Sequence, residues 1–216
     1  LLERTLIRVG NDEYARTNGS FGLTTLLDRH VDVRGRRVRF RFRAKSGVVQ
    51  KIDLEDALLA RSVQRCQDLP GQTLFQYVDE AGEQRTISST DVNAYIREVA
   101  GEEFTAKDFR TWSGTVLAAC ALCADIELGS ATARKRFVSE AIAEVAARLG
   151  NTKAVCCKCY VHPTVIDAFL EGETIAPFVR TTGAPKSGRR QLSAEEAAVV
   201  KLLTARLDAR TRRRAA

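Results

Sequence analysis

The sequence predicts a mainly α-helical fold carrying one small antiparallel β-sheet, an α+β arrangement, on three observations. Between Gly19 and Ile52 the chain turns to strand patterning, with apolar residues alternating with arginines as in strands that bury one face. From Leu54 onward, apolar residues recur at helical spacing between capping residues and helix stops. The 216 residues, 44% of them hydrophobic, suffice for one large core or two small ones.

In chain order, Leu1 to Asn18 reads as helix with a break near Gly10. Val31 to Val33, Val38 to Arg43 and Val48 to Ile52 are the strand candidates. Arg34, Arg36, Arg37, Arg39, Arg41 and Arg43 are interleaved with Val38, Phe40 and Phe42, so a strand here is half-buried with a cationic outer face. Lys45-Ser46-Gly47 lies between the last two strands, where a tight glycine-containing turn projects a lysine from its tip. Ala57, Leu58, Ala60, Val63 and Cys66 predict a helix ended by Asp68-Leu69-Pro70-Gly71.

The remainder reads as helical. Ser89 begins one helix, on which Tyr95 is expected to be half-buried. Thr105-Ala106-Lys107-Asp108 has capping-box character and starts another that runs to Ala124. Thr132 to Leu149 is a long alanine-rich helix, and Tyr160 falls on or beside a short helix stopped at His162-Pro163. Arg180 to Arg190 reads as a basic linker, Ser193-Ala194-Glu195-Glu196 caps a last helix, and Arg206 to Arg214 reads as a solvated basic tail.

Composition narrows the function. There are 34 Lys plus Arg against 27 Asp plus Glu, a formal charge of +7 that suits a phosphate-rich partner. No apolar run approaches the roughly 18 residues of a membrane span, and no secretory or transit signal opens the chain. The chain starts at Leu1 and contains no methionine, as expected of a fragment. Cys120-x-x-Cys123 and Cys156-Cys157-x-Cys159, with His162 beyond, contain enough sulfur and nitrogen for a zinc site. The run Ala118 to Ala124 nevertheless reads more naturally as a buried helix face where cysteine acts as a small hydrophobe. The carboxylates form no tight constellation suited to a two-metal nuclease, so neither metal nor cofactor is expected.

Tyr160 is the residue best suited to chemistry. A tyrosine hydroxyl has an unperturbed pKa of about 10 and is a poor nucleophile near neutral pH without nearby positive charge or a base. Three basic stations precede it: Arg8-Val9-Gly10-Asn11-Asp12-Glu13-Tyr14, Lys45-Ser46-Gly47, and Lys107-Asp108-Phe109-Arg110-Thr111-Trp112. Guanidinium groups grip nonbridging phosphate oxygens and stabilise a five-coordinate phosphorus. The combination implies phosphodiester transesterification.

In this order and spacing the boxes resemble the catalytic domain of type IB DNA topoisomerases, in the compact poxviral and bacterial subgroup, from about Leu1 to Glu171. The resemblance implies the fold of DNA breaking-rejoining enzymes. It also implies ATP- and metal-independent relaxation of supercoiled DNA through a 3′-phosphotyrosine. Tyr160 becomes the nucleophile, Arg8 and Arg110 the phosphate clamp, and Lys45 the acid that protonates the departing 5′-oxygen. Asn151 takes a position where many relatives carry histidine, and its amide can donate to an oxyanion but cannot titrate. Tyr14, Lys107 and Lys158 are the further expected DNA contacts.

The same resemblance implies a catalytic domain over residues 1–175, with a β-hairpin region at about 20–52, followed by a basic linker and C-terminal helix over 176–216. The family's N-terminal DNA-binding cap has no counterpart in this chain. Double-stranded DNA is the implied partner, the state monomeric, and the location intracellular, at the nucleoid in a bacterium. Two alternatives stand beside this reading. A tyrosine recombinase shares the nucleophile, arginine pair and lysine, but usually carries His-x-x-Arg where this chain has Lys107-Asp108-Phe109-Arg110. A noncatalytic DNA-binding fragment would bind in a salt-sensitive way without covalent capture.

Overall fold

In the computed structural model, which describes residues 1–123, 130–181 and 192–215, the chain divides into two units, Leu1–Arg110 and Thr111–Ala216. Each has its own core. The first opens with α1 (Leu2–Thr5) and α2 (Asp12–Asn18), separated by six non-helical residues. The break is sharper than one glycine: Leu6 takes a left-handed φ of 55° and Gly10 a φ of 109°.

Three antiparallel strands follow in the order β1 (Val31–Arg34), β2 (Arg37–Arg43) and β3 (Val49–Glu55). Along β2 burial alternates residue by residue. Val38, Phe40 and Phe42 face the core while Arg37, Arg39, Arg41 and Arg43 are exposed. A one-residue slip would turn all three apolar groups to solvent, which fixes the register of Phe40 opposite Val31 and Ile52. Burying Phe40 contributes about 2–3 kcal/mol. Ile7, Leu26 and Leu74 complete that core with Ala60 and Val63 of α3 (Ala57–Gln67). Asp56 caps α3, its carboxylate accepting from Leu58 and Leu59 N–H at 2.9 Å each. These backbone donors and Arg4 hold its carboxyl below the usual range.

The helical remainder expected after Ile52 needs correcting. β3 continues to Glu55, and a second hairpin pairs β4 (Gln76–Val78) with β5 (Gln84–Thr86). Of its six residues only Gln76 is buried, so there was no period-2 apolar signal to read. Its turn is held by Asp79, whose Oδ1 accepts from Ala81 and Glu83 N–H. Then come α4 (Ser89–Ala100), capped by Ser88, and α5 (Ala106–Ala121). Thr105 and Asp108 open α5 as expected, the Asp108 carboxylate accepting from Thr105 N–H at 2.9 Å and from its hydroxyl at 2.8 Å. Tyr95 on α4 is 65% exposed, not half-buried, because only Ile96 on that helix reaches the core.

The described elements of the second unit are all helices. It contains most of α5, then α6 (Ala131–Leu149), α7 (Lys153–Cys159), α8 (Pro163–Leu170), α9 (Ala176–Thr181) and α10 (Ala194–Ala215). Its core joins Ala119 of α5, Leu122 just beyond it and Ala141 of α6 to Val165, Ala168 and Phe169 of α8 and to Ala198, Val199 and Leu202 of α10. The Phe137 and Phe169 rings stack at 5.6 Å. Most of the expected linker, with Ala124, lies outside the described residues; its first residue, Arg180, belongs to α9. Arg206 is not a solvated tail residue. It pairs with Glu171 and, at 2.9 Å, with Glu173, whereas Arg210 and Arg212 are exposed.

Cys120 also departs from expectation. It is exposed on α5, and the apolar face is carried by Ala118, Ala119 and Leu122. Among the described residues no group of three or more His, Cys, Asp or Glu lies close enough to hold a metal ion. No helix there is long and apolar enough to cross a membrane.

Candidate active site

The sequence-predicted residues are divided between the units, with Arg8, Tyr14, Lys45, Lys107 and Arg110 in the first and Asn151, Lys158 and Tyr160 in the second.

In the first unit the box around Arg8 is built by close backbone approach. Arg8 carbonyl accepts from Leu23 N–H and Val9 carbonyl from Thr24 N–H, both at 2.8 Å, so residues 8 and 9 lie along the Gly22–Thr25 turn. Two glycines allow this. A Cβ on Gly22 would lie 2.5 Å from Gly10 Cα and 2.7 Å from the Arg8 carbonyl oxygen, closer than any real contact. Asn11 then caps α2 by accepting from Tyr14 N–H at 2.8 Å. That places Tyr14 in the first helical turn, where the Lys45 ammonium lies 5.7 Å from the centre of its ring.

Lys45 is exposed in the turn between β2 and β3. The turn closes with Ala44 N–H donating to Val48 carbonyl at 2.7 Å and is permitted by left-handed Ser46 and Gly47, at φ 65° and 76°. Positive φ at serine costs energy on the order of 1 kcal/mol, which the flanking strands must hold in place.

Arg110 stands apart from the other candidates in burial, at 3% exposed. Its Nη1 donates to the carbonyl of Leu6, the left-handed residue two positions before Arg8. The Leu6 strain therefore coincides with an acceptor aimed at a buried guanidinium, tying Arg110 to the segment that carries Arg8. No sequence signal marks Leu6 for this. Lys107, one helical turn earlier on α5, is exposed.

The sheet's outer face is electrically uneven. At the β1–β2 end Asp53 accepts from Arg37 at 2.7 Å and Arg39 at 3.0 Å, and these two arginines, Arg37 first, hold its carboxyl below the usual range. At the end nearer Lys45, Arg41 stands directly opposite Lys51, and Arg43 opposite Val49. Like charges directly opposite are unfavourable. That end is cationic without a compensating carboxylate among its cross-strand partners.

In the second unit Asn151 and Tyr160 bracket α7. Gly150, at φ 60°, ends α6; Asn151 N–H donates to Ala146 carbonyl at 2.9 Å, and Thr152 caps α7. Tyr160 is the residue that closes α7, its N–H donating to Cys156 carbonyl at 2.9 Å. Its backbone lies on α5. A Cβ on Gly114 would sit 2.5 Å from the Tyr160 carbonyl oxygen and 3.2 Å from Tyr160 Cβ. The Thr115 hydroxyl accepts from His162 N–H at 3.1 Å. Lys158, Cys157 and Cys159 are exposed beside Tyr160, and Cys156 is buried. His162 caps α8, its Nδ1 accepting from Thr164 N–H at 3.3 Å.

The Trp112 indole N–H donates to Glu196 Oε1 at 2.8 Å, joining α5 to α10. His30 is a buried structural residue: Nδ1 accepts from Leu27 N–H at 3.1 Å, and the ring meets Phe21 edge-on at 4.5 Å.

Comparison with known proteins identifies the family. A family described as eukaryotic DNA topoisomerase I, catalytic core, matches residues 1–174. A DNA topoisomerase 1B of Acanthamoeba polyphaga mimivirus is 32% identical over 170 residues, covering 76% of this chain and 51% of the viral protein. The chain thus spans about half the length of that relative. With the family match running from the Arg8 box through Tyr160 and α8, the chain belongs to the type IB DNA topoisomerase family, as a catalytic core.

Proposed function

We propose that this chain cuts and rejoins one strand of duplex DNA, relaxing supercoils by transesterification. The observation that carries the reading is that all eight candidate residues fall inside the family match. Tyr160 Oη gives up its proton to solvent water and attacks phosphorus; the P–O5′ bond breaks and a 3′-phosphotyrosine remains. Lys45 supplies the proton taken up by the departing 5′-oxygen, a role that suits an ammonium at the tip of an exposed turn. Arg8 and Arg110 bind the nonbridging oxygens as negative charge grows on them. Arg110, buried and already bonded to Leu6 carbonyl, enters the reaction with little orientation left to lose. Asn151 donates an amide N–H to the same oxyanion.

Rejoining is the reverse. The free 5′-hydroxyl attacks phosphorus, its proton returns to Lys45, and Tyr160 leaves with a proton. Because the phosphotyrosine retains the energy of the broken bond, no ATP is consumed. Tyr14, Lys107, Lys158 and the cationic end of the sheet at Arg41, Arg43 and Lys51 bind the flanking backbone, which positions the duplex without reading its bases. The protein acts as a monomer on intracellular DNA.

The test is relaxation of negatively supercoiled plasmid in EDTA without ATP, beside Tyr160→Phe. Relaxation lost in the variant is the expected result. Plasmid that is bound but stays supercoiled would favour a noncatalytic DNA-binding chain.

A further inference from the structure

We infer that Gly114 and Thr115 of α5 form a saddle that sets the position of Tyr160, acting as positioning residues for the nucleophile. The inference rests on the assignment of Tyr160 above.

Tyr160 lies in the short connection between α7 and α8, where neither helix fixes its backbone fully. Its φ of −130° and ψ of −7° are those of a residue leaving a helix, and its own intrahelical bond is the last of α7. What holds this connection from below is α5. Gly114 is buried in the middle of that helix, where glycine is less favourable than alanine, so its presence needs a reason. The packing supplies one. An added Cβ would lie 2.5 Å from the Tyr160 carbonyl oxygen, 3.2 Å from Tyr160 Cβ and 3.2 Å from Leu149 Cδ1. The first neighbour is backbone and cannot swing aside.

Thr115 adds direction to this contact. Its hydroxyl donates to Thr111 carbonyl at 2.9 Å, with Tyr160 carbonyl a longer alternative at 3.4 Å, and its lone pair accepts from His162 N–H. The connection is thus gripped on both sides of Val161, which is itself buried at 4% exposure. Glycine sets how near Tyr160 comes to α5, and threonine sets its rotation. These contacts are made to the backbone and Cβ of Tyr160 and to the His162 N–H, not to the phenol. They act through the backbone of the residue that carries it.

The chemistry is sensitive to such placement: an error of about 1 Å in a reacting group can cost on the order of 100-fold in rate. Gly114→Ala forces a displacement approaching that size. The experiment measures single-turnover formation of the covalent adduct on plasmid DNA with the full chain in excess, trapped by detergent, alongside DNA affinity and thermal midpoint. Gly114→Ala and Thr115→Val are each expected to slow adduct formation by about 10- to 100-fold with DNA affinity within twofold of the parent. Thr115→Ser, which keeps the hydroxyl, is expected to restore the parental rate. Ile142→Val, a cavity variant in the core of the same unit, is the stability control: it should lower the thermal midpoint yet leave the rate unchanged.

Gly114→Ala at the parental rate, or Thr115→Ser as slow as Thr115→Val, would overturn the inference alone. A parent chain whose adduct persists in Tyr160→Phe would overturn the assignment of the nucleophile and this inference with it.

Discussion

Gly22→Ala separates steric crowding from backbone strain. Gly22 has φ −137°, a value alanine adopts freely, so the substitution carries no conformational penalty of its own. The obstacle is the Arg8–Gly10 segment, with Gly10 Cα, Gly10 N and Arg8 O at 2.5, 2.6 and 2.7 Å from the new Cβ. Ordinary carbon contacts lie at about 3.5–4.0 Å, so the two segments must part by roughly 1 Å. That stretches both 2.8 Å bonds, Leu23 N–H to Arg8 O and Thr24 N–H to Val9 O, beyond hydrogen-bonding range. At about 1–3 kcal/mol for each of the two bonds lost, the expected destabilisation is about 2–6 kcal/mol. Gly19→Ala is the comparison. Gly19 has φ 57° with nothing within 4 Å of its added Cβ, so it should cost about 1 kcal/mol. Urea unfolding followed by far-ultraviolet circular dichroism gives both values from the midpoint at constant slope. A Gly22→Ala protein no less stable than Gly19→Ala would refute the close-approach argument.

Phe40→Ala removes the largest fully buried side chain among the described residues and is expected to cost about 3–5 kcal/mol in the same unfolding assay. His30 has its pKa lowered, first by burial and then by Arg29, and its Nδ1 already accepts a hydrogen bond. With the folded pKa below the unfolded one, the unfolded chain binds the proton more readily, so stability falls as pH drops through about 6.5. The thermal midpoint should fall between pH 7.5 and pH 5.5 by a larger amount in the parent than in His30→Gln; equal losses would contradict this. Arg41→Ala should lower the slope of log affinity for duplex DNA against log salt by about one, whereas Arg37→Ala, whose charge Asp53 offsets, should change it less.

Much of this architecture is written in local patterns. The β2 alternation gave both the strand and its cationic face, because one buried face imposes a period of two. Asp108, Ser193 and Glu196 announced helix starts through capping chemistry, and Glu196 N–H does donate to Ser193 Oγ at 3.1 Å. The β4–β5 hairpin was not legible, since a hairpin exposed on both faces leaves no apolar rhythm. Tyr95 was misjudged because helical periodicity alone does not say which of two neighbours, Tyr95 or Ile96, meets the core. The candidate chemical groups were named from spacing and family resemblance, but their supports were not. Leu6 under Arg110, Gly22 under Arg8 and Gly114 under Tyr160 act through contacts between residues far apart in sequence, which no local pattern encodes.

The central claim, that Tyr160 carries the broken strand, is tested most directly by locating the covalent bond. The chain would be reacted with plasmid DNA, trapped with detergent, digested with nuclease and protease, and the nucleotide-bearing peptide identified by mass spectrometry. A nucleotide joined through its 3′-phosphate to Tyr160, and absent from Tyr160→Phe, is the expected result. A nucleotide on Tyr14, Tyr77 or Tyr95, or one joined through a 5′-phosphate, would contradict it.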